Sequence, residues 1–195
     1  MADNWLERKM DDYRSGKSAT GHSVSHRPAK GTMTVRFTPR HVVIDNATFP
    51  LAVPLATAFR EAGCQVTLLG SDFRAGNEAA QRSGTRFIPL TAAGCGPAVD
   101  KAVSLNGPVE IAIVTDIAGA PVLLEASRVR HPYGRILVFA DNCDQQRLLE
   151  IWGRDSATLN IITAGPSTPT ATLTRLALFL SEDTSAPLHL QSFSF

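Results

Sequence analysis

The sequence predicts an α/β domain, doubly wound around a mainly parallel sheet with helices on both faces, preceded by a short N-terminal helix and an extended arm. Two observations carry this expectation. Short runs that are apolar throughout, rather than alternating, recur along the chain from residue 42 onward, which is the pattern of strands buried on both faces. Stretches with helical spacing separate most of them, and a parallel neighbour is reached only through such a crossover.

The first unit shows the pattern clearly. An apolar run at residues 42 to 45 precedes a helical stretch from Leu51 to Glu61, with Leu51, Pro54, Leu55, Ala58 and Phe59 at helical spacing and Gly63 as its stop. A second run from Gln65 to Leu69 completes a β-α-β unit. Further strands are expected at 86–90, 111–115, 135–139, 158–163 and 188–191, and helices at 97–104, 121–130, 143–152 and 170–180. Gly70-Ser71-Asp72-Phe73-Arg74 reads as a surface turn after the second strand.

Ahead of this domain, residues 3 to 14 place Trp5, Met10 and Tyr13 among alternating charges, with Asp3 or Asn4 as N-cap and Gly16 as a stop, which predicts a short amphipathic helix. Residues 15 to 39 have almost no large apolar side chains and read as a linker or arm. The expected division is therefore 1–39 and 40–195.

Composition narrows the function classes. With 195 residues, 44% hydrophobic and 19% charged, the chain can bury a sizeable core. A net charge of +1 and scattered arginines provide no field for nucleic acid or an anionic membrane, and no run reaches the apolar length of a membrane span. The N-terminus lacks the basic start and apolar run of a secretory signal, and the three cysteines, Cys64, Cys95 and Cys143, are odd in number and form no CxxC pair. These features predict a cytoplasmic protein without a disulfide framework or a structural zinc.

Several segments carry a resemblance. Residues 107 to 119 run Gly-Pro-Val-Glu-Ile-Ala-Ile-Val-Thr-Asp-Ile-Ala-Gly, residues 134 to 139 run Gly-Arg-Ile-Leu-Val-Phe, and residues 160 to 166 run Asn-Ile-Ile-Thr-Ala-Gly-Pro. A late helix, Leu173-Thr174-Arg175-Leu176-Ala177-Leu178-Phe179-Leu180, leads to an acidic stop and a short strand. In order and in these segments, residues 40 to 192 resemble the short-chain dehydrogenase/reductase family. The resemblance implies a Rossmann-like fold, an NAD(P) cofactor seated on a glycine-rich turn, and hydride transfer served by a Ser, Tyr and Lys group.

The residues that this chemistry needs are missing from the matching positions. After the first strand the chain reads Asp45-Asn46-Ala47-Thr48-Phe49-Pro50, without glycine, and the fifth strand is followed by Ala140-Asp141-Asn142 instead of serine. Where Tyr-x-x-x-Lys belongs stands Gln145-Gln146-Arg147-Leu148-Leu149-Glu150-Ile151-Trp152, and the four lysines are at 9, 17, 30 and 101. Tyr13 and Lys17 have the spacing, but Gly16 breaks the helix that would align them, and both precede the sheet. No catalytic residue and no metal ligand is assigned.

Candidate cofactor-binding residues follow from the crevice at the carboxyl ends of the strands. Asp45 and Asp116 would end the first and fourth strands there, either as functional acids or as caps of the helices that follow. In the resemblance, Asp72 and Arg74 occupy the ribose discriminator, where an acid meets ribose hydroxyls and an arginine a 2′-phosphate. Gly94-Cys95-Gly96 is a weak phosphate nest at a helix start. Cys143, flanked by acids, reads as inert, His22 and His26 as solvated, and His131 as a helix-end cation.

Two functions fit these residues. One is a degenerate member of the family that serves as a binding or assembly module, as a homo-oligomer or as the partner of an active homologue, through the apolar helices at 121–130 and 143–152. The other is an NAD(P)-dependent oxidoreductase with an atypical site, lined by Asp45, Asp72, Asp116 and Asp141.

Overall fold

The structure, a computed structural model, describes residues 40–115, 134–140, 158–165, 167–182 and 191–194. The expected helices at 3–14, 121–130 and 143–152, the arm at 15–39, and Asp116, Asp141 and Cys143 lie outside the described residues. Within them, seven strands form one sheet: β1 (His41–Ile44), β2 (Gln65–Gly70), β3 (Arg86–Pro89), β4 (Ile111–Val114), β5 (Arg135–Phe139), β6 (Thr158–Thr163) and β7 (Gln191–Ser194). Their order is β3-β2-β1-β4-β5-β6-β7. Every neighbouring pair is parallel, so the sheet is doubly wound from β1 outward in both directions, as expected.

Four described helices cover the two faces: α1 (Ala52–Glu61), α2 (Phe73–Ser83), α3 (Gly96–Asn106) and α4 (Thr170–Ser181). Side chains that alternate along each strand sort into two cores. Val42 and Ile44 of β1, Val66 and Leu68 of β2 and Ile111 and Ile113 of β4 pack with Leu55 and Phe59 of α1, Ala79 and Ala80 of α2 and Leu173 and Leu180 of α4. Val43, Leu69, Ala112 and Val114 face the other way, onto Ala98, Val99 and Ala102 of α3. Burial on both faces explains why the strands read as continuous apolar runs.

Two elements differ from the expectation. The supposed turn after β2 is brief, and Asp72 opens α2, its Oδ1 accepting the Ala75 amide at 2.9 Å. The buried face of α2 consists of Gly76, Ala79, Ala80 and Ser83, so no large apolar residue marks its period. Small residues are needed because the helix lies close to the sheet: a Cβ at Gly76 would overlap the Phe87 ring of β3. Gly84 ends the helix with φ +66.

The last strand is the second difference, since β7 occupies Gln191–Ser194 rather than 188–191. It pairs Gln191 with Asn160 and Ser194 with Thr163 at the sheet edge. Edge strands tolerate polar residues, so the apolar Leu188 and Leu190 drew the expectation three residues too early.

Two stability measurements test α2. Asp72→Ala removes the cap and should lower stability by about 0.5–2 kcal/mol in urea unfolding. Gly76→Ala should cost about 1–3 kcal/mol by forcing Phe87 off its seat, and most of that cost should vanish in a Phe87→Leu background. Additivity of the two changes would place the strain elsewhere.

Candidate functional site

The crevice lies where the winding reverses, at the carboxyl ends of β1 and β4, which are neighbours in the sheet. Asp45 follows β1 and is half-buried. Its Oδ2 accepts the Thr115 amide at 2.8 Å and its Oδ1 accepts the Thr115 hydroxyl at 2.8 Å. Its own amide donates to the Ile113 carbonyl at 3.1 Å. Asp45 thus clasps the end of β1 to the end of β4, and it does not cap the helix that follows, as one of its two expected roles required.

The β1–α1 turn is tied up in the same way. Asn46 Oδ1 accepts both the amide and the hydroxyl of Thr48, at 3.0 and 2.7 Å, which is an Asx turn. The Ala47 amide donates to Leu69 O at 2.6 Å, the Phe49 amide to Asn46 O at 3.2 Å and the Ala52 amide to Phe49 O at 2.8 Å. Pro50 and Pro54 have no amide hydrogen to offer. The N-cap of α1 is Leu51, which has no side-chain capping bond.

A dinucleotide pyrophosphate needs several backbone amides aimed outward at a helix N-terminus. Here Asp45, Ala47, Thr48, Phe49 and Ala52 direct theirs to protein oxygens, and two prolines remove two more. The residues present therefore do not fit the phosphates of an NAD(P) cofactor at this turn. Beside it, Phe49 packs on Phe139 from the end of β5, ring centroids 5.6 Å apart and tilted by 56°, and Phe139 is only 5% exposed. The pair joins the turn to the end of β5 through an aromatic contact.

The other predicted residues are placed apart from this point. Asp72 is occupied as the cap of α2, and the Arg74 Nε donates to Glu78 Oε1 at 3.1 Å with both side chains largely exposed, a pair worth little in water. At the Gly94-Cys95-Gly96 segment the Gly94 amide donates to Thr91 O at 2.9 Å, and just before it the Ala93 amide donates to Thr91 Oγ1 at 3.3 Å. Burial pushes the Cys95 thiol above its ordinary value, and the Asp45 charge adds to the shift. Cys95 is a thiol rather than a reactive thiolate.

A groove of about 600 Å³ opens beside the β1–α1 turn, at Thr48 and Phe49, and is lined by Pro54 and Thr57 of α1 and Glu78 and Arg82 of α2 among others. It contains none of the predicted acids. Among the described residues no group of three or more His, Cys, Asp or Glu is placed to hold a metal ion, and no described helix is long and apolar enough to cross a membrane. Sequence reasoning missed Thr115, Asn46 and the Phe49–Phe139 pair. Asn46-Ala47-Thr48 is an Asx-turn pattern and was legible, whereas the Asp45–Thr115 clasp spans 70 residues and needed the sheet order.

No family model matches the sequence, and no curated protein matches it significantly. Solved structures do resemble it. A short-chain dehydrogenase/reductase of the glucose/ribitol dehydrogenase type from Brucella melitensis aligns with a TM-score of 0.70 at 12% identity, over 84% of this chain and 97% of that one. Pseudomonas aeruginosa RhlG, in an active-site complex with NADP, aligns with a TM-score of 0.69 at 11% identity, over 82% and 96%. A short-chain type dehydrogenase/reductase from Mycobacterium marinum aligns with a TM-score of 0.65 at 15% identity, over 82% and 94%. With the sheet order and the two-faced helix cover already described, these likenesses establish that the chain has the fold of the short-chain dehydrogenases/reductases.

Proposed function

We propose that the protein is a binding or assembly module built on this fold, without the family's hydride-transfer chemistry. One observation carries the reading: five amides of the β1–α1 turn, those of Asp45, Ala47, Thr48, Phe49 and Ala52, bond to the chain's own oxygens where that chemistry would seat its cofactor. The missing serine, tyrosine and lysine at the matching positions point the same way. One lost group is replaceable, but the loss of the phosphate cradle and of three reacting side chains removes binding and chemistry together.

In this reading the crevice is structural. Asp45 holds β1 against β4, and Asp72 starts α2. The module works through its surfaces, joined to a second copy or to an active homologue, and resides in the cytoplasm. The alternative, an NAD(P)-dependent oxidoreductase with an atypical site, draws on the likeness to RhlG, whose structure holds NADP.

Nucleotide-dependent thermal stability separates the two. A dinucleotide present at about 100 times its dissociation constant stabilises a fold by about 2.7 kcal/mol. We expect no shift of the midpoint with NAD, NADH, NADP or NADPH at millimolar concentration. A clear rise with any one of them would refute the module reading and bring Arg74 and Asp72 back as ribose contacts. Asp45→Ala should lower stability by about 1.5–3 kcal/mol, because two hydrogen bonds to a carboxylate are lost. Thr115→Val keeps the backbone amide and loses only the hydroxyl bond, so it should cost about half as much, and the double variant no more than Asp45→Ala alone, read by urea unfolding.

A further inference from the structure

At the opposite end of β1 from the crevice, His41 is 2% exposed and has both ring nitrogens bonded. Nδ1 lies 2.9 Å from the Gly107 carbonyl, and Nε2 lies 3.0 Å from Thr67 Oγ1. A carbonyl only accepts, so Nδ1 carries the proton. Asn106 Nδ2 donates to the same Thr67 oxygen at 3.1 Å, and the Thr67 hydroxyl proton then goes to Nε2. One neutral tautomer satisfies every member of this chain of bonds.

We propose that His41 is an acid-released pin: as the neutral ring it ties β1 to β2 and to the α3–β4 turn, and its protonation frees that turn ahead of the rest of the sheet. A second proton on Nε2 turns both nitrogens into donors. Thr67, fully buried on β2, then receives the ring as a second donor and its hydroxyl loses its acceptor unless the Asn106 amide turns over, and a buried unsatisfied donor costs free energy. An imidazolium must reach water, and the side that can yield is the turn. Asn106 and Gly107 are half-buried, Pro108 is exposed, and Gly107 sits at φ +81 with open space where a Cβ would point.

The charged groups facing the ring are Glu110, ahead of β4, and Arg86 on β3, while the neighbouring Arg40 is directed to Ser181 O at 3.1 Å. Burial holds the ring below its ordinary value of 6.5; the Gly107 bond and Glu110 oppose that shift, and Arg86 adds to it. The folded value lies below the unfolded one, so the stabilisation is complete above pH 6.5 and is lost as the pH falls.

The test uses the full chain, with ring nitrogen NMR and amide hydrogen exchange between about pH 7.5 and about pH 5. We expect the Nδ1–H tautomer at neutral pH. Protection factors of the Gly107 and Glu110 amides, which bond to Val103 O and His41 O, should fall by up to about tenfold per pH unit below 6.5. Those of Ala140 and Thr158, beside β5 and β6, should fall less. His41→Gln should flatten the pH dependence at the turn. An imidazolium or an Nε2–H ring at neutral pH, a uniform loss of protection, or an unchanged pH dependence in His41→Gln would overturn the pin. If that variant does not fold, the ring titration and exchange of the unaltered protein decide.

Discussion

A strand buried on both faces has nowhere to send a polar group except to another part of the protein. The central strand β1 meets that constraint most severely, because Val42, Val43 and Ile44 are fully buried and strands lie on either side of it. Its polar residues stand only at its two ends. His41 is held by Thr67 and Gly107 at one end, and Asp45 by Thr115 at the other. The strand is thus a tie between α3 and β4 below and the switch point above, and each tie joins segments distant in sequence.

The same rule explains why the crevice differs from a nucleotide site on the same fold. Binding a pyrophosphate requires backbone donors that the folded protein leaves unsatisfied until the ligand arrives. A glycine-rich turn permits this because its backbone adopts conformations that keep the amides outward. The turn after β1 has no glycine, and its side chains and neighbouring strands satisfy its amides instead: Asn46 serves Thr48, and Leu69 O serves Ala47.

How much of this was legible in the sequence depended on what each element buries. The strands, which fill both cores with branched and aromatic side chains, were found within a residue or two, and so was α1 with Leu55 and Phe59 facing inward. Helix α2 was not found, because the approach of Phe87 to Gly76 demands small residues and small residues leave no apolar period. Its ends were nevertheless marked by Asp72 and Gly84. β7 was displaced because an edge strand needs few apolar side chains. At the site, the lack of glycine could be read directly from residues 45 to 50. The partner of Asp45 could not, since Thr115 reaches it only through the pairing of β1 with β4.

Asp45 shows why position alone is a poor guide to chemistry. An aspartate at the carboxyl end of a central strand stands where acids often act, and its exposure is intermediate, so location and accessibility both favour a functional role. Hydrogen bonding shows a structural use as well. Each Asp45 oxygen accepts a bond from Thr115 at 2.8 Å, so the carboxylate commits part of its acceptor capacity to joining β1 to β4. A ligand that drew on Asp45 would share the carboxylate with this clasp, so its binding would be coupled to the pairing of β1 with β4.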